Sequence, residues 1–267
     1  RPTNNNQLVQ FCNDGYSIIS EDLIVNQTGM ISLAGLECLC EVRGDAKILR
    51  NTTLMNLTGL NNLRLIGENL IVSYNNSLRN FNALSSLSWI GEDLRVIEES
   101  SLANMAGLSA LEAIGRQVLL QGNRTLSSVG ALDSLVWVGD AFLVKDNSSL
   151  ASLSGFNNLP RLTTHFEVTG NRSLRSIEGL NALDMIEGHA LLNSNSSLQS
   201  INGLQGLREV TSNLSINGNR SLRSFNGLLN VESVGGNLSV RNNQSLPNAR
   251  AITLRDSIGD GVLGQVF

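Results

Sequence analysis

Two histidines are the first residues here whose type and spacing suggest chemistry. His165 and His189 lie 24 residues apart, so a repeat of that length would stack their imidazoles on neighbouring turns of the chain. A structural zinc site needs about four ligands, and the sequence has no further ligand column in the same phase. We therefore interpret both histidines as exposed turn residues and expect neither a metal nor a cofactor.

Two tryptophans share a second column. Trp89 and Trp137 are 48 residues apart, and each comes just before an apolar residue that we expect to face the core. An exposed apolar stripe predicts a surface for a protein or glycan partner. The alternative is that a corner of the chain folds this column onto the core. At steps of 24 the column contains Leu65, Trp89, Ala113, Trp137, Arg161 and Met185.

Arginines mark a third column and occur in every second repeat. Arg124, Arg172 and Arg220 each follow Gly-Asn and precede Thr/Ser-Leu, which predicts a positive stripe on the C-terminal half. Opposite charges on the two halves would favour head-to-tail self-association. The alternative is a solvated surface that avoids stacking like charges. The acidic residues of the N-terminal half are Glu68, Glu92, Asp93, Glu98, Glu99 and Asp140.

The sequence lacks the residue patterns of an enzyme. A solenoid that cleaves polysaccharide would need clustered carboxylates and basic residues on one strand face, whereas the repeated polar positions are Asn and Ser. We find no nucleophile elbow and no phosphate-binding loop. A net charge of -4 argues against nucleic-acid binding. No apolar run approaches the roughly 18 residues of a membrane span. We predict that the chain is not an enzyme.

All these positions belong to one 24-residue repeat. Apolar columns keep the same phase three, six, nine, twelve and eighteen residues after a repeated leucine. One unit cannot bury its apolar face alone, but stacked units bury a continuous core. Residues 70–74 alternate apolar and other side chains, which predicts a short parallel strand in each coil. The leucine of Asn-x-Ser/Thr-Leu recurs at Leu54, Leu78, Leu102, Leu126, Leu150, Leu174, Leu198, Leu222 and Leu246.

Two polar columns precede each repeated leucine. Asparagine lies three residues before it in every coil except one, where Glu99 takes its place. Serine or threonine lies directly before the leucine. Stacked amides bond to one another in cross-β structures, so we interpret both columns as structural ladders at a turn.

Two segments of the repeat resemble a known family. Residues 67–78 (GENLIVSYNNSL) and 236–246 (GNLSVRNNQSL) are similar to the receptor L-domain repeat of insulin- and epidermal-growth-factor-receptor ectodomains and of fungal GPI-anchored cell-wall proteins. The resemblance covers about residues 26–246. It implies an all-β, right-handed parallel β-solenoid related to leucine-rich repeats, extracellular and non-catalytic. At 24 residues per coil we expect nine to ten coils.

The regularity of the repeat separates two functional interpretations. Receptor L domains have fewer and less regular coils than this chain. The sequence therefore favours a structural or adhesive protein at the cell surface, or a subunit of an extracellular assembly. The alternative is the ligand-binding ectodomain of a membrane receptor.

The ends of the chain lie outside the repeat. Residues 1–25 are predicted to form an N-terminal cap, because an open strand edge invites association. A disulfide from Cys12 to either Cys38 or Cys40 would join this cap to the first coil; the alternative is three free thiols in a cytosolic protein. Residues 247–267 are a C-terminal cap or the start of a following segment. The first residue is Arg1, which we take to indicate a processed chain or a fragment.

Twelve glycosylation sequons occur in the sequence. Eight coincide with the asparagine ladder, so their number alone is not evidence for glycosylation. A glycan on a laddered asparagine would disrupt the ladder. The candidate sites are therefore the four outside it, Asn26, Asn56, Asn213 and Asn237.

Overall fold

The computed structural model describes residues 2–247, 253–254 and 256–265 and forms a parallel β-solenoid. Each coil of the described chain contributes a two-residue strand and a four-residue strand. Successive four-residue strands pair in parallel at a step of about 24 residues, as Val118 does with Phe142. Ten such strands are described, which confirms the predicted β-solenoid of nine to ten coils.

The strand bounds follow the 24-residue period. The two-residue strands are β1 (Ile18–Ile19), β3 (Glu41–Val42), β5 (Leu65–Ile66), β7 (Trp89–Ile90), β9 (Ala113–Ile114), β11 (Trp137–Val138), β13 (Arg161–Leu162), β15 (Met185–Ile186), β17 (Glu209–Val210) and β19 (Ser233–Val234). The four-residue strands are β2 (Leu23–Asn26), β4 (Ala46–Leu49), β6 (Leu70–Ser73), β8 (Leu94–Ile97), β10 (Val118–Gln121), β12 (Phe142–Lys145), β14 (Phe166–Thr169), β16 (Ala190–Asn193), β18 (Leu214–Asn217) and β20 (Leu238–Arg241).

Turns and short 3-10 helices connect the strands. The described 3-10 helices are Asn82–Leu84, Gly130–Leu132, Asn202–Leu204, Asn226–Leu228 and Gly259–Gly261. Glycine occupies the corner between the short and the long strand in five coils, where adjacent coils approach closely, whereas Thr163, Glu187 and Thr211 take this position in others. A Cβ on Gly91 would lie 1.9 Å from the carbonyl oxygen of Gly67 one coil earlier.

The apolar columns form one continuous core. The repeated leucines from Leu54 to Leu222 are completely buried, as are the inward residues of the strands, such as Val72 and Ile90. Burial of this kind contributes roughly 25 cal/mol per Å² of apolar surface removed from water. Each coil gains it only by stacking on its neighbours, which is why the units cannot fold singly.

The asparagine ladder joins the coils on one side of the core. The Oδ1 atom of Asn147 accepts hydrogen bonds from the backbone N–H and Nδ2 of Asn123, at 3.1 and 3.0 Å. The Nδ2 atom of Asn147 donates to the carbonyl oxygen of Leu120 at 2.9 Å. The serine column also bonds between coils, since Ser149 Oγ donates to the Arg124 carbonyl at 2.6 Å. Both columns are therefore structural. The fully buried ladder asparagines are Asn51, Asn75, Asn123, Asn147, Asn171, Asn195 and Asn219.

The N-terminal segment caps the solenoid. Helix α1 (Asn5–Asn13) begins after Asn4, whose side chain accepts a hydrogen bond from the backbone N–H of Gln7. Leu8 on this helix is buried in the core. Strands β1 and β2 already pair with the next coil, so the sheets start before residue 26.

A disulfide fixes the cap. Cys12 pairs with Cys38, with 5.6 Å between their Cα atoms. Cys40 is half-buried and forms no disulfide within the described residues; its thiol donates to the carbonyl oxygen of Ser17 at 3.3 Å. At the other end Leu254 and Ile258 are buried, and the carbonyl oxygen of Gln265 accepts a hydrogen bond from the N–H of Leu238. Residues 248–252, 255 and 266–267 of the 247–267 segment lie outside the described residues.

The short strands form two sheets rather than one. The first sheet contains β1, β3, β5, β7, β9 and β11, and the second contains β13, β15, β17 and β19. In this column Glu112 donates its N–H to Ser88, and Val136 donates to Glu112. Pro160 occupies the same position one coil later and has no N–H to donate to Val136. The break therefore falls at the proline.

Candidate functional site

The tryptophan column lies on the outer surface of the first short-strand sheet. Trp89 and Trp137 are 42% and 41% exposed, whereas Ala113 between them is 7% exposed. The register pairs Trp89 with Ala113 and Ala113 with Trp137. The column therefore faces solvent and is not folded onto the core. Leu65 and Met185 in the same column are half-buried, and Arg161 is exposed.

The Trp137 side chain leans against the neighbouring turn. A Cβ on Gly139 would lie 3.2 Å from Trp137 Nε1, so the ring edge lies close to the backbone there. Val136, directly before it, is 49% exposed. The structure thus presents two indoles on one parallel sheet, separated by two strand steps, or about 10 Å.

Charged groups of both signs flank this column. Arg64 and Glu112 are exposed on one side of it. On the other side Arg116 Nη1 lies 3.5 Å from Glu92 Oε2. Glu68 and Asp140 belong to the same flanking column as Glu92 and Arg116, so carboxylates outnumber arginines along the strip. The charged groups offer hydrogen-bond donors as well as acceptors.

The arginine column does not form an isolated positive stripe. Arg124, Arg172 and Arg220 are exposed, but Arg124 and Arg172 share a cavity of about 340 Å³ with Glu98 and Asp146. Acidic and basic side chains therefore alternate along this turn. Asp93 and Glu99 are buried and add nothing to an acidic surface. The alternating charges and the burial of these two carboxyl groups both argue against the predicted separation into an acidic and a basic half.

The histidines belong to a second polar ladder that our sequence analysis missed. His189 Nδ1 accepts a hydrogen bond from the N–H of Asn213 at 3.3 Å, and Asn213 Oδ1 accepts one from the N–H of Asn237 at 2.7 Å. The imidazole centroids of His165 and His189 are 5.0 Å apart. The stacking is as predicted, but the role of His189 is to cap the backbone of the next coil.

The second ladder continues at the N-terminal end with acidic and amide side chains. Asp22 Oδ1 accepts from the N–H of Asp45, and Asp45 Oδ1 accepts from the N–H of Asn69, both at 2.9 Å. Asn69 Oδ1 accepts from the N–H of Asp93 at 3.0 Å. These positions recur at a step of about 24 residues, but their residue types vary, so the sequence does not show them as one motif.

Three carboxylates come together at the start of this ladder. Asp22, Asp45 and Glu68 have oxygens within 4.8 Å of one another. Lys47 Nζ lies 3.0 Å from Asp22 and also pairs with Asp45. The hydrogen bond from the Asp45 N–H, followed by that from Lys47, lowers the pKa of Asp22. The hydrogen bond to Asp45 raises the pKa of Lys47. Because the Lys47 ammonium group already pairs with two of the carboxylates, we assign this cluster a structural role.

Glu99 is the carboxyl group in the asparagine ladder. It is fully buried, and its Oε1 accepts from the N–H and Nδ2 of Asn75 at 3.0 and 2.9 Å, as an amide oxygen would. Its Oε2 is buried without a hydrogen-bond partner among the described residues. Burial raises the pKa of Glu99 to about 7, against the opposing effect of the bonds from Asn75.

The outer face of the long-strand sheet is a second surface that our sequence analysis did not single out. Apolar side chains on it are half-buried and interspersed with ion pairs such as that between Lys145 and Glu167. The sequence signal is the alternation within each strand, whose outward members we did not compare between coils. The apolar members include Ile24, Leu49, Ile71, Ile97, Leu119, Leu143 and Leu191.

The sequon asparagines differ in accessibility. Asn26 and Asn237 are exposed, and Asn56 and Asn213 are half-buried. The ladder asparagine Asn75 uses both side-chain atoms in hydrogen bonds and is fully buried. Oligosaccharide transfer to the ladder would therefore require the coil to open.

No family model matches the sequence, and no curated protein is significantly similar to it. The receptor L-domain resemblance therefore remains a prediction. Among the described residues, no helix is long and apolar enough to cross a membrane.

Proposed function

We propose that this chain is a non-enzymatic extracellular protein with a structural or adhesive role, at a cell surface or in an extracellular assembly. It acts through protein or glycan contacts on its outer faces. The observation that carries the proposal is the pair of exposed tryptophans on a rigid sheet. Large exposed aromatic side chains that serve no packing role typify binding surfaces.

Two further observations support the extracellular part of the proposal. The Cys12–Cys38 disulfide is of a kind that persists in oxidising compartments. The sequons outside the asparagine ladder lie at exposed or half-buried positions, where an oligosaccharide is accommodated without disturbing the core.

The polar columns support a structural role. Their amides, hydroxyls and His189 bond to the backbone of adjacent coils. These side chains hold neighbouring coils in register, and a long, stiff scaffold is what an adhesive or wall-forming protein requires. The alternative, a receptor ectodomain, would place a soluble protein ligand on the same tryptophans.

The test is the intact mass of the protein isolated from its source, measured before and after removal of N-glycans. We expect a mass above 28.7 kDa that falls on deglycosylation, with glycans on Asn26, Asn56, Asn213 or Asn237 and none on the ladder asparagines. We also expect intact cells to bind an antibody against the chain. A bare chain with three reduced cysteines would contradict the proposal.

A further inference from the structure

We propose that the tryptophan column binds a neutral β-1,4-linked polysaccharide, which lies along the solenoid axis with sugar rings on Trp89 and Trp137. This inference rests on the proposed extracellular contact function and names the ligand class of that surface. Its evidence is the spacing of the two indoles, their exposure, and the charges on both sides of them.

The spacing fits a polymer with a two-residue repeat. Trp89 and Trp137 lie on strands β7 and β11, with β9 between them. Two strand steps are about 10 Å, on the order of the length of a disaccharide. In an extended β-1,4-linked chain every second sugar presents the same ring face. One sugar would therefore lie on each indole, with the intervening sugar above the small side chain of Ala113.

The indoles are placed for stacking rather than for insertion into a pocket. Each keeps about two-fifths of its surface exposed, and the edge of Trp137 lies against the turn at Gly139. The negative face of an aromatic ring attracts electropositive hydrogens, such as the C–H groups on the apolar face of a β-linked pyranose. Because both indoles are exposed on the outer face of the sheet, the column suits a long chain or a polymer surface.

The charged side chains favour a neutral polyol over a polyanion. Arg64 and Glu112 flank the column on one side, and Glu92 and Arg116 flank it on the other. Glu68 and Asp140 continue this second flank, so carboxylates outnumber arginines around the column and a polyanion is repelled. Sugar hydroxyls accept from guanidinium groups and donate to carboxylates, and each side of the column carries groups of both kinds.

The two tryptophans are the only ones in the chain, so indole fluorescence reports on this column alone. We would titrate the full chain with cellohexaose and with a maltohexaose control, and follow acrylamide quenching of the emission. We would also measure depletion of the chain from solution by cellulose, chitin and starch. We expect protection from quenching by cellohexaose only, and retention on cellulose or chitin but not on starch.

The variant that tests the column is Trp89→Ala with Trp137→Ala. Stacking on each ring predicts about a tenfold loss of affinity per substitution, and near-complete loss of retention in the double variant. Trp89→Phe with Trp137→Phe keeps aromatic faces and should retain most of the binding. Tyr74→Ala removes an exposed aromatic side chain outside the column and should change nothing. Melting temperatures check that all variants are folded.

Three outcomes would overturn the inference. They are no binding to any β-linked polysaccharide, equal binding to starch, and binding unaffected by the double alanine substitution. A soluble protein that shields both indoles would overturn it in favour of a protein partner. A glycosylated surface protein without polysaccharide binding would refute the glycan and leave the proposed function standing. An unmodified, reduced native chain would refute the proposed function itself.

Discussion

At the scale of single residues, position 99 shows what the ladder demands of a side chain. An asparagine there would donate to the coil before it and to the next amide, as Asn147 does to Leu120 and Asn171. A carboxylate cannot donate, and a buried charge without a partner is costly. Protonation removes that charge. The burial of the carboxylate, whose Oε2 has no hydrogen-bond partner among the described residues, is the physical reason for the raised pKa of Glu99.

We predict that stability depends on the ionisation of Glu99. Its pKa is about 7 in the folded chain, against 4.5 for a solvated glutamate side chain, so the folded state binds the proton more tightly. Below pH 4.5 Glu99 is protonated in both the folded and the unfolded state, so its full contribution to the free energy of unfolding is present. Between these values the free energy of unfolding falls as pH rises, by about 3 kcal/mol in all, and it stays low above pH 7. Urea unfolding from pH 4 to pH 8 measures this slope.

Glu99→Gln should abolish that slope and should make the protein more stable than the wild type above pH 7. Glu98→Gln is the matched control, because it removes a neighbouring carboxyl group that lies outside the ladder. It should leave the wild-type slope in place. A Glu99→Gln protein with an unchanged pH profile would show that Glu99 is not protonated in the fold.

A pair of adjacent asparagines tests the ladder directly. Asn75 bonds to Asn51, to the Ile48 carbonyl and to Glu99, whereas its neighbour Asn76 is exposed. Asn75→Ala leaves buried donors and acceptors unpaired, so we expect a loss of about 2–4 kcal/mol. Asn76→Ala should cost less than about 0.5 kcal/mol. Chemical denaturation of both variants measures the difference, and equal losses would contradict a structural ladder.

At the scale of elements, the period of the sequence was sufficient to predict the long strand of each coil and the core, but the two-residue strands were not predicted. The inward columns repeat apolar side chains and the ladder repeats asparagine at all positions but one, so their 24-residue spacing can be recognised in the sequence. Helix α1 was not predicted: it is short, and its cap at Asn4 is one asparagine among many. The break in the short-strand sheet depends on the single residue Pro160, which no periodicity reveals.

The second ladder shows that residue types associated with catalysis or metal binding can have a purely structural role. Its members include Asp22, Asn69, Asp93 and His189, which have in common only an acceptor aimed at the next backbone N–H. From residue type alone we considered a metal site or a turn for the histidines. In the structure His189 accepts a hydrogen bond from the backbone of the next coil, as Asn213 does one coil later. For the tryptophan column the sequence left two alternatives open, and the exposure of Trp89 and Trp137 supports the first of them, a stripe that faces solvent.

At the scale of the whole molecule, the cap and the solenoid depend on each other. Leu8 of α1 covers the first coil, and the Cys12–Cys38 bond closes a segment of 26 residues. We predict that Cys12→Ser with Cys38→Ser lowers the stability of this end by about 2–4 kcal/mol. Amide hydrogen exchange should accelerate in β1 and β2 first, because repeat proteins unfold from weakened ends.

The remaining cysteine supplies the control for that experiment. Cys40→Ser keeps the disulfide and removes only the thiol that donates to Ser17, so exchange in β1 and β2 should stay close to the wild-type rate. Adding a reductant to the Cys40→Ser protein should reproduce the double variant. Exchange that is insensitive to reductant would mean that α1 holds the first coil without the disulfide.

The stacking of parallel strands also determines how the molecule would bear a mechanical load. The hydrogen bonds between coils, such as those from Asn123 to Asn147, point along the solenoid axis. A pull between the N-terminal helix and the last long strand therefore strains them one coil at a time, as in a zipper. Rupture force is then set by a single coil and not by the number of coils. Because the disulfide fixes the N-terminal end, unfolding under load would begin at the C-terminal end. Each coil that detaches would add 24 residues of extended chain.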